Sequence, residues 1–247
     1  MTENMLKLND DKTEVLVITG RQYVGEQQNT SVKIGEIEIH PTKSARNLGV
    51  IFDNGLSLEE HIDKVCKTCY LNIRNIYQVR RYLTENATKS IVQSLVINRL
   101  DYANLLLYNL QQYSIKKLQK VQNAAARLVC KVGRREHISP RLYELHWLKV
   151  KYRIQYKLNT LTYACIKGMA PQYLCDLLQI KEPERNLRSS AEIILAHRMD
   201  PTKLRQPGLR AFMNASVVLW NKLPTHVKNV DNITIFKKCL KTYLFQL

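Results

Sequence analysis

The spacing of apolar residues along the chain changes near residue 56. Before that point, short apolar runs such as Val15–Ile18, the two runs either side of Gly35-Glu36, and Leu48–Phe52 are typical of strands. After it, apolar residues recur at steps of three and four, which is the period of amphipathic helices. The pattern predicts a mainly α protein with a small N-terminal antiparallel β element, of the α+β class.

Several side chains mark where the predicted helices begin and end. The first helix follows a capping box formed by Ser57 and Glu60, and its apolar positions run from Ile62 to Tyr77. A long helix from about Val150 to Lys167 is expected to end at Gly168. The other signals mark helix starts: Ser114, Ser139-Pro140 and Asn232.

Prolines and serines interrupt the helical pattern late in the chain. Residues 181–209 contain Pro183, Pro201 and Pro207 and predict an extended connector. The expected organisation is therefore a β-rich segment, a helical domain, a connector and a C-terminal helical tail, at 1–56, 57–180, 181–209 and 210–247.

The charge is the feature of the composition that bears most on function. The chain has 38 Lys+Arg against 21 Asp+Glu, a formal net charge of +17, and the positive excess lies beyond residue 60. Such a field favours polyanions, first nucleic acid and then anionic membrane, although a generic basic surface is the alternative. No apolar run approaches the roughly 18 residues of a membrane span. We expect no membrane partner. We also expect an intracellular location, in the nucleus or the cytoplasm.

One predicted helix, between Ser114 and Val132, gathers cations along one side. On a helical wheel four of its basic residues fall within an arc of about 60°, opposite its apolar residues, and no acidic residue lies among them. Cations at this spacing suit a phosphate backbone, whereas the alternative is a solvated helix face. We call the candidate nucleic-acid-binding residues the basic stripe: Lys116, Lys120, Arg127 and Lys131, with Arg134 and Arg135 extending it.

Residue patterns that would support catalysis or metal binding are weak. Asp10-Asp11 has no obvious second acidic pair with which to hold Mg²⁺, and a turn role is favoured. Cys66-x-x-Cys69 lacks a second Cys/His pair at zinc-finger spacing. His137 and His146 are isolated, and no Gly-rich phosphate loop is present. We expect no catalytic residue, no metal site and no cofactor.

Several short motifs follow one another in order over nearly the whole chain. They are Asn4–Glu14, Leu48–Asp53, Asn98–Tyr102, Lys120–Arg127, Leu142–Leu148, Lys167–Leu174, Leu187–Ser189, Gly208–Phe212 and Leu219–Pro224. Each motif alone is weakly specific. In this order they resemble the C-terminal part of the reverse transcriptases of non-LTR retrotransposons (LINE-type, jockey-like). The chain departs from the family where proline is expected, at Gln111, Lys149 and Val217.

The resemblance implies a role for each part of the chain. Residues 1–56 would be the edge of the polymerase palm, 57–180 a helical thumb-like bundle, and 181–247 the C-terminal tail. The catalytic Asp boxes, which bind Mg²⁺ in the complete enzyme, would precede Met1, and Asp10-Asp11 follows Leu-Asn rather than Tyr-Ala. The chain is therefore expected to be a truncated fragment of an RNA-directed DNA polymerase, without enzymatic activity as it stands.

Two functions remain open at this point. The first is binding of the backbone of RNA, DNA or an RNA–DNA hybrid by the thumb-like helices. The alternative is a stand-alone helical module, derived from such an element, that binds a protein partner.

Overall fold

The structure, a computed structural model, describes residues 13–18, 31–34, 37–181, 193–197 and 206–247. The motif Leu187–Ser189 and the pair Asp10-Asp11 lie outside the described residues. The chain divides into two compact units, Met1–Val65 and Cys66–Leu247. The described part is mainly helical with a few short strand pairs, so the predicted fold class is confirmed.

Pairs of short strands form the described part of the first unit. The strands are β1 (Val15–Leu16), β2 (Val32–Ile34), β3 (Ile37–Ile39), β4 (Pro41–Thr42), β5 (Ser44–Asn47) and β6 (Val50–Asp53). β2 pairs antiparallel with β3, which confirms the hairpin predicted around Gly35-Glu36, and β5 pairs antiparallel with β6. β1 pairs parallel with β4, contrary to a wholly antiparallel element, because the long connection between them allows a crossover.

The strand predicted over Leu48–Phe52 begins two residues later than expected. Leu48 and Gly49 both have positive φ, 46° and 84°, and form the tight turn that joins β5 to β6. β5 itself escaped prediction because Ser44–Asn47 contains no apolar run. Register with β6, rather than its own pattern, makes this segment a strand.

A carboxylate holds the turn that leads into the first helix, α1 (Glu59–Val79). Asp53 accepts hydrogen bonds from the backbone N–H groups of Gly55 at 3.1 Å and Ser57 at 2.9 Å. The Ser57 hydroxyl accepts from the N–H of Glu59 at 3.3 Å, as predicted. The Ser57 N–H, which Glu60 would accept in a capping box, donates to Asp53 instead, so that half of the prediction is wrong.

Helices make up most of the second unit. The helices after α1 are α2 (Glu85–Val92), α3 (Asn98–Asp101), α4 (Gln112–Cys130), α5 (Ser139–Glu144), α6 (Val150–Ile166), α7 (Gln172–Cys175), α8 (Gln206–Arg210), α9 (Phe212–Asn221), α10 (Thr225–Lys228) and α11 (Ile233–Phe245). Residues Gln93–Ile97 form a π-turn between α2 and α3, so α2, the π-turn and α3 make one continuous helix from Glu85 to Asp101.

The predicted helix ends are confirmed at two positions. Asn232 caps α11, because its side-chain oxygen accepts from the N–H groups of Thr234 at 2.7 Å and Ile235 at 3.4 Å. Gly168 follows α6 with a φ of +66°, and the next N–H, of Met169, donates back to the Ala164 carbonyl at 2.8 Å. This is a Schellman ending, which favours glycine at the left-handed position.

Two predicted starts differ from the structure. Ser114 is buried in the first turn of α4, whose N-cap is Gln111, so Ser114 is not the cap. Ser139 is the first residue of α5 rather than its cap, and Pro140 occupies the first turn, where a missing N–H costs nothing. In both cases the helix includes the residue that was expected to precede it.

Aromatic residues from three helices form the core of the second unit. Tyr163 of α6 stacks on Phe236 of α11 with ring centroids 4.2 Å apart, and Trp220 of α9 lies 6.0 Å from Phe236. All three side chains are almost completely buried. The elements that were assigned to a thumb-like domain and to a C-terminal tail thus share one core.

Part of the predicted connector is a strand. β7 (Gln179–Ile180) pairs antiparallel with β8 (Leu195–Ala196). The Asn221 side-chain amide accepts from the N–H of Leu195 at 3.0 Å and donates to its carbonyl at 2.9 Å. The Trp220 indole donates to the carbonyl of Ile193 at 3.0 Å. The last helices therefore hold this segment through side chains, a contact between distant residues that local composition does not reveal.

Candidate nucleic-acid interface

The first half of the basic stripe projects from a well-anchored helix. The opposite side of α4 buries Leu118 and Val121, whereas Lys116 and Lys120 are exposed, one turn apart. The predicted division of this helix into an apolar and a basic side is therefore confirmed for these two lysines. Their side chains can approach a ligand without disturbing the packing of α4.

Two glutamines fix α4 to the start of α6. Gln122 is completely buried and donates to the carbonyl of Leu148 at 2.8 Å, while Gln119 accepts from the N–H of Val150 at 2.9 Å. Gln119 also donates to Gln122 at 2.9 Å. This network satisfies the backbone around the beginning of α6 and sets which side of α4 faces solvent.

The second half of the basic stripe differs from the first half. Arg127 lies in the helical row as predicted, but it is half-buried and donates to the carbonyls of Gly133 and Glu136, both at 3.4 Å, so it supports the loop after α4. Lys131 is exposed, but it has a φ of 55° and caps the helix in the left-handed conformation. The prediction that Lys131 continues the helical row is wrong, because α4 ends at Cys130.

The loop after α4 presents the last two predicted cations. Arg134 and Arg135 are exposed in a turn that Glu136 closes by accepting from the N–H of Gly133 at 3.2 Å. The Glu136 carboxylate also lies 3.9 Å from the guanidinium of Arg141, and this pair is exposed. The loop therefore adds two cations and one partly neutralised carboxylate beside the end of α4.

The basic stripe stands outside the ion pairs found among the described residues. These pairs join Arg141 to Glu136 and Glu144, Arg153 to Asp101, and Lys167 to Asp231. Asp101 binds Arg153 through both oxygens and also accepts from Asn104. The carboxylates in these pairs are thus held by other basic residues, and none of the pairs includes a residue of the basic stripe.

A second basic surface, which the sequence pattern did not reveal, lies on α1 and the turn after it. Tyr77 was predicted to lie on the apolar side of this helix, but its side chain is 73% exposed, because Cys69 and Ile76 fill the buried side. We call the exposed set the aromatic-basic face: Lys67, Tyr70, Arg74, Tyr77, Arg81 and Tyr82. The absence of Asp and Glu from Lys64 to Thr84 is the sequence feature that could have revealed this face.

A buried arginine connects the end of α1 to the end of α4. The Arg80 guanidinium donates to the carbonyls of Leu128 and Val129, each at 2.9 Å, and to that of Leu83 at 2.8 Å. Its positive charge caps the C-terminus of α4, where the helix dipole is negative. Arg81 and Tyr82 therefore directly follow a residue that contacts the last turn of α4.

One cleft of about 530 Å³ lies between α4, α6, α9 and α11. Tyr108, Tyr152 and Tyr243 line it together with leucines, and the lysines are Lys151 and Lys222. No Asp or Glu is among its lining residues within the described chain. The cleft therefore lacks the carboxylate pair that metal-assisted or acid–base chemistry would use.

The cysteine pair singled out in the sequence is a packing feature. Cys69 is completely buried, and its thiol lies 3.9 Å from the Val96 carbonyl. Burial, with a smaller effect of Cys66, raises the pKa of the Cys69 thiol to about 11. A thiol that stays protonated is a poor metal ligand. Among the residues that the structure describes, no group of three or more His, Cys, Asp or Glu side chains is placed to hold a metal ion.

Further findings concern membrane association and similarity to known proteins. In the described part of the chain, no helix has the length and apolar character needed to cross a membrane. Comparison of the chain with protein-family models, with curated proteins and with solved structures finds no match.

Proposed function

We propose that this chain binds nucleic acid through its phosphate backbone, in the manner of the thumb of a non-LTR retrotransposon reverse transcriptase. The observation that carries the proposal is the set of exposed cations at Lys116, Lys120, Arg134 and Arg135, none of them in an ion pair with a described residue. Cations held on a rigid helix and its adjoining loop attract a polyanion, and release of counterions drives the binding.

The aromatic-basic face adds further cations in the same unit. Arg81 lies next to Arg80, whose hydrogen bonds join the ends of α1 and α4. Several cations near one end of two helices suit a ligand that is itself a line of charges. A small anion would use only one or two of them.

Backbone angles support the resemblance to the reverse transcriptases at two of the three departures noted in the sequence. Gln111 and Lys149, where the family is expected to have proline, both have a φ of −56°, an angle that proline also adopts. Each precedes the first residue of a long helix. Val217 lies within α9, where proline would interrupt the helix, so this position gives no support.

Salt dependence of binding tests the proposal. Replacing Lys116, Lys120, Arg134 and Arg135 by Gln is expected to lower the log–log salt slope for an RNA–DNA hybrid by about 3–4, since each phosphate contact contributes about 0.9. Affinity should fall similarly for hybrids of different sequence, because phosphate contacts carry no base information. Fluorescence anisotropy with a labelled hybrid at several salt concentrations measures both quantities.

A matched variant controls for net charge. Lys149, Lys181, Lys237 and Lys238 are exposed and lie outside both basic surfaces, and replacing them by Gln removes the same charge. The control should change the slope by less than 1. Equal effects of the two variants would mean that overall charge, and not this interface, binds the nucleic acid.

Polymerase activity is a separate part of the proposal. The proposed function assigns no catalytic role to this chain, so the purified protein should not extend a primer on an RNA template with Mg²⁺ or Mn²⁺. Metal-dependent incorporation that persists after Asp10 and Asp11 are replaced by Asn, in protein freed of host polymerases, would contradict this part. Loss of nucleic-acid binding altogether would favour the protein-binding alternative.

A further inference from the structure

We infer that the aromatic-basic face binds an unpaired nucleic-acid strand, with bases stacking on Tyr70 and Tyr77 and phosphates contacting Lys67, Arg74 and Arg81. The inference rests on the proposed function, because it requires that the chain bind nucleic acid. It adds that one surface distinguishes unpaired strands from duplexes. The basic stripe on α4 needs only a backbone, which both forms provide.

Most residues of this face share one side of α1. On a helical wheel Lys67, Tyr70, Arg74 and Tyr77 fall within an arc of about 80°, and Arg81 follows in the turn after the helix. Tyr70 and Tyr77 are seven residues apart, so their Cα atoms are separated by two turns, or about 10.5 Å, along the axis. Arg74 lies between them on the same side. The face therefore alternates rings and cations along its length, as an unpaired strand alternates bases and phosphates.

The tyrosine rings do not contribute to the core. The Tyr70 side chain is 44% exposed and that of Tyr77 is 73% exposed, while Cys69 and Ile76 fill the buried side of α1. Two exposed aromatic rings on the same side of one helix indicate an interaction surface, whereas a single exposed apolar residue would not.

The charge of this face selects the ligand. From Lys64 to Thr84 the sequence has no Asp or Glu, and Lys67, Arg74 and Arg81 form no ion pair with a described residue. Tyrosine and arginine are also common in protein–protein interfaces, but this face has only cations among its charged residues, so it favours an anionic ligand. Alternating rings and cations are the usual surface for single-stranded nucleic acid.

The end of the face shows the same pairing within the protein. The Arg81 guanidinium lies over the Tyr82 ring, 4.6 Å from its centroid, and the Tyr82 side chain is 73% exposed. This pair presents a flat stacked group next to Arg80, which contacts the last turn of α4. Bases of a duplex are already stacked on one another, so these ring faces have a use only for bases that are unpaired.

Two oligonucleotides of equal length test the inference: a single strand with bases, and an abasic strand with the same phosphates. The unchanged protein should bind the strand with bases at least about tenfold more tightly, because stacking contributes about fivefold or more per base. The double variant Tyr70→Ser, Tyr77→Ser should bind both strands equally. Affinity for a blunt RNA–DNA hybrid should be unchanged in the variant.

Three controls make the result specific. Tyr70→Phe, Tyr77→Phe keeps the rings and should retain the preference for bases. Tyr173→Ser removes a 69%-exposed tyrosine elsewhere in the unit and should have no effect. Far-UV circular dichroism of each variant should match that of the unchanged protein, since α1 keeps its buried side.

The outcomes separate the inference from the proposed function. Equal binding of both strands by the unchanged protein, with the salt slope still dependent on the basic stripe, would overturn the inference and leave the proposed function intact. Failure to bind any nucleic acid would overturn both. Binding of poly-glutamate that is lost in the serine variant would also overturn the inference, since the face would then accept an acidic polypeptide.

Discussion

The two compact units are each stabilised by a different kind of secondary structure. The first unit contains two-stranded pairs whose strands are two to four residues long, and its buried apolar residues include Val50, Ile51 and Ile62. The second unit buries large aromatic side chains from three long helices around Tyr163. Isolated strand pairs are marginally stable in water, whereas amphipathic helices bury a full side against one another. Short strands can thus be correctly predicted and still contribute little stability.

Hydrogen exchange should show the largest difference between the units. Backbone N–H groups of β5 and β6 should exchange at least about a hundredfold faster than those of α6, because the strands open locally while α6 opens only when the second unit unfolds. Peptide-resolved exchange by mass spectrometry measures both in one sample. Equal protection would mean that the strands of the first unit share in the global unfolding reaction.

Removal of the buried guanidinium should be the most damaging single change near the interface. Arg80→Met leaves the carbonyls of Leu128 and Val129 buried without a partner, so the free energy of unfolding should fall by about 3 kcal/mol. Urea unfolding followed by circular dichroism measures this change.

The neighbouring exposed arginine is the matched control for Arg80. Arg81→Met should change stability by less than about 0.5 kcal/mol, because this side chain is exposed and its contact with the Tyr82 ring lies at the surface. A cost for Arg81→Met as large as that for Arg80→Met would contradict the assignment of the cap to Arg80.

Alkaline pH should produce a smaller effect, confined to the second unit. Burial is the main cause that raises the pKa of both Cys69 and Cys165 to about 11, whereas a thiol in an unfolded chain ionises near pH 8.5. This stabilisation is complete below about pH 8.5 and is lost as the pH rises toward 11. Urea unfolding at pH 8 and pH 10.5 should show a decrease that is smaller in Cys69→Ala, Cys165→Ala. Identical decreases would mean that other groups cause it.

Acid should weaken the first unit instead. Burial, and then the nearby charge of Lys64, lower the pKa of His61 below its ordinary value of 6.5. The folded first unit therefore binds fewer protons than the unfolded chain, and its stability is present above pH 6.5 and decreases as the pH falls below it. Exchange rates of β5 and β6 at pH 7 and pH 5.5, corrected for intrinsic rates, measure this. His61→Gln should remove the pH dependence; a dependence that persists would contradict the assignment.

The local sequence pattern was sufficient to predict the elements that are specified by neighbouring residues. The hairpin of β2 and β3, the start of α11 at Asn232 and the end of α6 at Gly168 all follow from residues within one turn of the feature. β5 and β8 were missed because they become strands only through partners elsewhere in the chain.

The candidate site likewise contains residues whose roles the sequence predicts and residues whose roles it does not. Lys116 and Lys120 were correctly placed on the exposed side of α4, since the apolar residues of that helix fix its orientation. The role of Arg127 depends on loop carbonyls six and nine residues later, which a helical wheel does not include. Tyr77 was treated as apolar, although a tyrosine can equally serve as an exposed ring. Residue type alone does not distinguish these uses.

The π-turn at Gln93–Ile97 makes the helix from Glu85 to Asp101 tolerant of a shorter chain at one place. A π-turn contains one residue more than an α-helical turn, so a one-residue deletion within it can restore a regular α-helix. The residues beyond the deletion would keep nearly the same direction, because one full turn is replaced by one full turn. Asp101 would still face Arg153 and Lys157, which bind it. A one-residue deletion in the α-helical part from Glu85 to Val92 would instead rotate the later residues by about 100° and turn Asp101 away from α6.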